Sequence, residues 1–414
     1  MHCMSSRRVD EYVENLGYAP VLVMVRPETA AGAAASSEPL RRIEENFLSV
    51  VPEGAKTSLD ETRKERAPPP YRFFPRLGLY FGYMDKQGIR KTEEERNAEK
   101  VYAAEYLSLI RPVFKRLAES AGNLTWGLER LGIDKIWQTG VFGKGIRVGH
   151  LDTGADASHE ALRNQAKAFV DIDFDGNIIS DSRPAIDAAY DSDEHGTHTA
   201  GTICGGLANG MAIGVAPRVD LYVALVIEGG NALLRVLQGM EWCIENQVKV
   251  LSMSLGFRGY TPFFTDVMRR LRGNGVLPII AIGNEGRGFS RSPGNYPEAL
   301  SIGAIDSNDR IATFSSSIRF NRDIEPDQPD CVAPGVNVIS AKPGGGVQAM
   351  SGTSMATPHA AGVAALLFES RPTATPDQVE KAILTTCKPL TGETKERYGH
   401  GLIDPVAAIA ALDK

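Results

Sequence analysis

The chain has 414 residues, 43% hydrophobic and 23% charged, and 51 acidic against 45 basic residues give a formal net charge of −6. That length allows two domains with a sizeable core, and basic residues that are dispersed and outnumbered exclude a nucleic-acid binder. No apolar run reaches a membrane span, and MHCMSSRRVDEYVENLGYAP at the start lacks the apolar core of a secretory signal, so cytoplasmic residence, or export without a conventional signal peptide, is expected.

From the amino terminus, APVLVMVRP (19–27) reads as a strand and EPLRRIEENFLSVV (38–51) as a helix, and the stretch with Ala67-Pro68-Pro69-Pro70 as a loop or linker. RLGLYFGYMD (76–85), a charged helix RKTEEERNAEK (90–100) and a strand VYAAEYLSLI (101–110) follow. They outline a small α+β domain, residues 1–110, joined by a linker or processing region, 111–125, to a larger domain, 126–414.

In the larger domain short apolar runs, IRVGHLD (146–152), VDLYVALVI (219–227), VKVLSMSLG (248–256) and VLPIIAIGN (276–284), alternate with helical patterns. Those patterns are NALLRVLQGMEWCIENQ (231–247) and FTDVMRRLRGNG (264–275), with apolar residues recurring at three and four. The alternation predicts an α/β fold, a mostly parallel sheet covered by helices on both faces. Functional groups in such sheets collect at the carboxyl ends of the strands. Cys3, Cys204, Cys243, Cys331 and Cys387 are odd in number and widely spaced. They form no metal pattern and read as buried free thiols.

The chemistry concentrates at those strand ends. In SGTSMATPHAAG (351–362) a polar loop becomes the first turn of an apolar helix, and Ser354 sits in that turn. Backbone N–H groups are unpaired there and the dipole is positive, so a hydroxyl can attack a carbonyl beside a donor for the oxyanion. A serine at a helix start is ordinarily only a cap, so the reading needs a base and an orienting acid. DSDEHGTHTAG (191–201) supplies His195 with Gly196 beside it, and GHLDTGAD (149–156) ends an apolar strand in Asp152. An acid, an imidazole and a serine are the three parts of nucleophilic catalysis. AIGNEG (281–286) adds Asn284, whose amide can donate to an oxyanion, although Asn-Glu-Gly is also turn chemistry.

DTGAD, HGTHTAG, SLG, GNEG and GTSMATPHAAG, in that order, resemble the subtilisin-like serine proteases, or subtilases. The resemblance runs over residues 126–414 and takes in APGVNVIS (333–340) and YGHGLID (398–404). It implies a subtilisin-like three-layer sandwich and a serine endopeptidase that needs no cofactor for chemistry and acts on protein or peptide substrates. By it Asp152 orients, His195 is general base and then acid, Ser354 is the nucleophile, and Asn284 completes the oxyanion hole; His198 and His359 are structural. Ser254, Leu255 and Gly256 resemble the strand that pairs with an extended peptide, and with Ala281 and Gly283 they would wall the primary pocket. GFSRSPGNYPEAL (288–300) resembles the loop at the pocket base, where Arg291 replaces a small residue. Its guanidinium would favour an acidic side chain before the scissile bond or block large ones. A solvated arginine on a mobile loop is the preferred reading.

The chain departs from the family pattern in places. At the family's calcium position the loop GGLANGMAIG (205–214) faces Ala161 where an acid is usual, and Asn209 offers a single oxygen. A structural calcium therefore lacks support there, since a hard cation takes several oxygens. Asp306, Asp309 and DIEPDQPD (323–330) read as solvated loops. The amino-terminal pattern is similar to subtilase propeptides, which implies a zymogen whose amino-terminal domain is an intramolecular inhibitor cut between Arg111 and Thr125. Its rival is a dedicated processing protease in which that domain is a permanent regulatory or partner-recognition module. A non-catalytic binding protein is disfavoured, because the triad and Asn284 are all present.

Overall fold

A computed structural model describes residues 4–27, 38–52, 70–119, 122–182, 187–228 and 232–412. The Ala67-Pro68-Pro69 loop and Cys3 lie outside them. Cys204, Cys243 and Cys331 are buried free thiols and Cys387 is half-buried. Among the described residues no helix is long and apolar enough to cross a membrane.

The amino-terminal part is built on helix α1 (Met4–Leu16), strand β1 (Ala19–Val25), helix α2 (Glu38–Glu44), strands β2 (Tyr71–Phe74) and β3 (Leu79–Met84), helix α3 (Lys86–Glu94) and strand β4 (Ala98–Ala103). The strands form an antiparallel sheet in the order β2-β3-β1-β4. β1 is apolar throughout because both faces are covered. Val21, Val23 and Val25 pack with Val9, Leu40 and Ile43, while Leu22 and Met24 look the other way, into a core shared with the larger unit.

Several element bounds differ from the sequence reading. The helix expected over 38–51 stops at Glu44, because the Asn46 amide takes the Arg42 carbonyl at 3.0 Å and the Leu48 N–H turns to Tyr83 O at 2.8 Å. The charged helix starts earlier, at Lys86, with Asp85 accepting the Gly88 N–H at 2.7 Å. The strand read over 101–110 is two, β4 and a short β5 (Ser108–Leu109), and a further strand β6 (Phe114–Leu117) follows. α1 goes beyond what the sequence reading assigned.

The larger unit carries strands β7 (Arg147–Asp152), β8 (Ala166–Ile172) and β9 (Ile178–Ser182), helix α4 (His195–Cys204), β10 (Asp220–Leu225), helix α5 (Leu233–Glu245), β11 (Val250–Met253) and β12 (Leu255–Arg258). After them come helix α6 (Thr265–Gly273), β13 (Leu277–Ala281), β14 (Arg291–Ser292), β15 (Leu300–Ile305), β16 (Cys331–Pro334), β17 (Val338–Ala341), β18 (Val347–Ser351) and helix α7 (Thr353–Ser370). Eight strands make the central sheet in the order β16-β15-β13-β11-β7-β10-β8-β9, parallel except for the β8–β9 edge. Helices α4 and α7 cover one face; α5 and α6 cover the other, where Val236, Met240, Val267 and Leu271 join Leu22 and Met24 of the amino-terminal sheet in one apolar cluster. The run read as one strand over 248–256 divides, since β11 stays in the sheet and β12 leaves it to pair with β5 and β14. Strand order reverses about β7, so a crevice opens at its carboxyl end.

Candidate active site

Asp152 is the last residue of β7 and lies in that crevice, 1% exposed. Alternation along β7 turns Val148, His150 and Asp152 toward α4 and α7, and His195 is the first residue of α4. Gly196 permits the approach: a Cβ there would lie 2.0 Å from Gly154 O. Asp191 anchors the helix start by accepting the Thr197 N–H and hydroxyl, each at 2.6 Å, while Thr153 Oγ1 accepts the Gly196 N–H at 2.9 Å.

Asp152 Oδ1 is 2.7 Å from His195 Nδ1 and also accepts the Thr153 N–H at 2.8 Å. A carboxylate can only accept, so Nδ1 carries the proton and Nε2 presents its lone pair. Nε2 has no protein partner, as a general base awaiting a proton would. Burial alone would raise the Asp152 carboxyl, but the His195 charge and hydrogen bond hold it below its ordinary value. For His195 burial opposes the charged form, yet Asp152, with Asp191 and Asp193 behind it, lifts the imidazole above its usual range.

Ser354 is the second residue of α7 and is buried. Pro358, four residues on, has no N–H to give the Ser354 carbonyl; Ser254 Oγ donates to it at 3.2 Å instead. Asn284 follows β13, and its Oδ1 accepts the Thr353 N–H and hydroxyl at 2.9 and 3.0 Å, which turns Nδ2 into the cleft. Gly352 leaves room for that amide, since a Cβ would lie 3.2 Å from Nδ2.

The cleft holds the chain's own residues. Ser108 and Leu109 pair antiparallel with Gly256 and Leu255, and the Ile110 N–H reaches Ser254 O at 2.9 Å. The Ser354 hydroxyl donates to Ile110 O and not to His195, while Asn284 Nδ2 donates to Arg111 O at 2.9 Å, one residue further on. Beyond the crevice the Val113 N–H bonds Ser351 O at 2.8 Å and β6 pairs with β18. Arg111 and Lys115 meet Asp193 and Glu194, each at 2.8 Å.

Ser254, Leu255 and Gly256 flank this segment, while Ala281 ends β13 and a Cβ on Gly283 would lie 3.2 Å from Arg291 Cγ. Arg291 corrects the sequence reading: it is 7% exposed and held in β14, not solvated on a loop. Its Nε is 2.7 Å from Glu285 Oε1 and its Nη1 donates to Ser108 Oγ at 3.2 Å. Glu285 also accepts the Asn284 N–H at 3.0 Å, so Arg291 and Asn284 share one carboxylate. Glu285 and Asp191 escaped the sequence reading, because acids beside GN and before HG resemble turn chemistry.

His198 and His359 are buried against the carbonyls of Val338 and Met355, and burial pushes them down to about 3 and about 4. The loop after α4 is tied by Glu160 Oε1, which accepts the Asn209 N–H at 2.9 Å, and by Gly206 N–H to Ala161 O at 2.8 Å. Among the described residues no three His, Cys, Asp or Glu side chains are grouped to hold a metal ion.

A sequence profile described as the subtilase family matches residues 143–401. A thermostable alkaline protease of Halalkalibacterium halodurans is 33% identical over 333 residues, covering 80% of this chain and 82% of the relative. Subtilisin E of Bacillus subtilis is 34% identical over 297 residues, 70% of this chain and 72% of its own length. Subtilisin Savinase of Lederbergia lenta is 33% identical over 291 residues, which are 70% of this chain but 99% of that protein.

Proposed function

The chain belongs to the subtilase family and is a serine endopeptidase, and on that footing we propose that Asp152, His195, Ser354 and Asn284 are its catalytic residues and that it is made as a zymogen inhibited by its own amino-terminal part. Ser354 Oγ attacks the carbonyl carbon of the scissile bond and gives its proton to His195 Nε2. Asn284 Nδ2 and the Ser354 N–H receive the oxyanion. Collapse breaks the C–N bond, and the leaving amine takes the proton back from His195. Water, deprotonated by the same imidazole, then releases the acyl group from Ser354. No cofactor enters these steps.

The observation that carries the zymogen reading is the Ser354 hydroxyl on Ile110 O with the Ile110 N–H on Ser254 O. Residues 108–110 thus run along Ser254–Gly256 as an extended peptide substrate would, with the Ile110 carbonyl on Ser354 and the Arg111 carbonyl on Asn284. Residues 1–110 then act as a propeptide-like inhibitor, 111–125 contain the processing region beginning at the Ile110–Arg111 bond, and 126–414 form the catalytic domain. Ile110, 1% exposed, stands where the residue before the scissile bond would stand. Because Glu285 already neutralises Arg291, the pocket favours aliphatic over acidic side chains. Glu160 and backbone bonds hold the loop after α4, which supports a loop that does not require calcium.

The intact mass of purified wild type beside Ser354→Ala, incubated at neutral pH, tests this reading. Wild type should shorten to residues 111–414 while the variant stays whole. If both stay whole, the amino-terminal part is a standing regulatory module; if both shorten alike, another protease did it.

A further inference from the structure

One buried titratable group beneath the triad has no part in the steps above. His150 lies two residues before Asp152 on β7, 1% exposed, with Val223 and Ser252 as its neighbours on the flanking strands. A valine or leucine would fill such a place; an imidazole there must be desolvated. Its Nε2 is 3.0 Å from Gly196 O. A carbonyl oxygen can only accept, so Nε2 carries the proton, and Nδ1 is a buried acceptor with no protein partner. One imidazole nitrogen is therefore left unsatisfied while the other is spent on a single carbonyl.

That carbonyl belongs to the residue next to His195. Thr199 Oγ1 stands at the centre of the same cluster: 3.3 Å from His150 Nε2, 3.4 Å from Asp152 Oδ2, 3.0 Å from His195 O and 3.1 Å from Gly196 O. Because His150 Nε2 is already a donor, the Thr199 proton is directed to the oxygens, Asp152 Oδ2 among them. The charged groups facing His150 are Asp152 on its own strand and His195 on α4; burial, ahead of both, keeps its imidazole below the ordinary value and so neutral.

We infer that His150 is a positioning residue for the triad: its Nε2–H on Gly196 O clamps the first turn of α4 to β7 and so holds the His195 imidazole in line with Asp152. The inference rests on the triad assignment, and Asp152→Asn run in parallel separates failure of the one from failure of the other.

The test compares His150→Leu, which removes the donor, with His150→Gln, whose Nε2 amide stands near the lost ring nitrogen. Wild type and variants of the full chain, incubated together and normalised by active-site titration, are assayed for kcat, KM and the pH dependence of kcat/KM on one chromogenic peptide. His150→Leu should lower kcat about tenfold or more with KM unchanged. Its acid limb should move a few tenths of a unit toward lower pH, because Asp152 supports the imidazolium less well when misaligned. His150→Gln should recover most of kcat and the original limb. A His150→Leu variant that loses melting temperature but keeps kcat and pH profile would overturn the inference, as would a change confined to KM. If His150→Leu fails to fold, His150→Gln against His150→Asn decides, since the shorter amide puts its donor where Nδ1 stood; equal kcat in the two refutes the clamp. Should Asp152→Asn match wild type, the triad assignment itself is wrong.

Discussion

Replacing Glu285 with glutamine should change what this protease accepts before the scissile bond. The Arg291 side chain is 8% exposed and the Glu285 side chain 25%, so the guanidinium depends on that carboxylate more than on water. At an effective dielectric near 20, charges about 4 Å apart attract by about 4 kcal/mol, and the net value of such a charge-assisted contact is about 1.5–3 kcal/mol. Glu285's quarter exposure argues for the lower end. In Glu285→Gln the guanidinium keeps its place in β14 but lacks a counter-charge, and a substrate carboxylate can supply one. The ratio of kcat/KM for a peptide with Glu before the scissile bond to that with Leu should rise about tenfold or more, since 1.4 kcal/mol is a factor of ten.

The assay needs two chromogenic peptides differing at that one residue, with Arg291→Ala as control. The control should show no gain for Glu and should accept aromatic side chains better. An unchanged Glu-to-Leu ratio in Glu285→Gln, with the enzyme otherwise active, would refute the argument by showing that the guanidinium does not reach the substrate side chain.

Four further expectations concern the rest of the molecule. His195 must be neutral to accept a proton and its folded pKa is raised, so activity should fall on acidification with a midpoint above the ordinary value of about 6.5; an acid limb well below it would contradict the Asp152 contact. Asn284→Ala should lower kcat by about 10²–10³ with little change in KM, a magnitude taken from the loss of one such donor in a subtilisin; a matching rise in KM alone would place the amide elsewhere in the mechanism. Glu241, 3% exposed, accepts the Arg76 and Leu77 N–H groups at 2.8 and 3.0 Å, so Glu241→Ala in the Ser354→Ala background should weaken docking of the amino-terminal sheet by about 1–3 kcal/mol, read as a lower denaturant midpoint. Adding a calcium chelator should leave the melting temperature unaltered, whereas Glu160→Ala should lower it; a large fall with chelator would restore calcium to the loop after α4.

Where the candidate residues would sit was legible in the sequence because their placement follows strict local rules. Asp152 closes an apolar strand, His195 and Ser354 open helices marked by small residues, and Pro358 declares that a backbone carbonyl will need another donor. The parallel sheet was legible for a related reason, since strands buried on both faces read as continuous apolar runs. What escaped depends on contacts that local sequence rules do not encode. Nothing near Arg291 announces that Glu285 will fold back onto it, so a lone arginine in a Gly- and Ser-rich stretch reads as solvated. VKVLSMSLG looks like one strand, and only the approach of Ser108 and Leu109 explains why it divides. His150 reads as an isolated polar residue in an apolar run until α4 brings Gly196 O against it.

The cleft segment has a one-residue tension with mechanistic meaning. On the proposed mechanism, pairing with Ser254 and the contact to Ser354 make Ile110 the residue to be acylated, yet Asn284, the proposed oxyanion donor, holds the carbonyl of Arg111. Attack at Ile110 requires its carbonyl to rotate into the place Arg111 O occupies. Pro112 opposes that movement: it restricts Arg111 to extended conformations, and just beyond it Val113 and β6 are stitched to β18. The ion pairs from Arg111 and Lys115 to the residues before His195 add only a modest restraint, because Arg111 is 70% exposed and Lys115 50%. The brake is thus mainly backbone pairing on the far side of the bond. On the proposed zymogen reading, a segment bound by strand addition on both sides of Ser354, but one carbonyl out of register with Asn284, inhibits without being consumed quickly, and loosening β6 from β18 is the movement that would turn inhibitor into substrate.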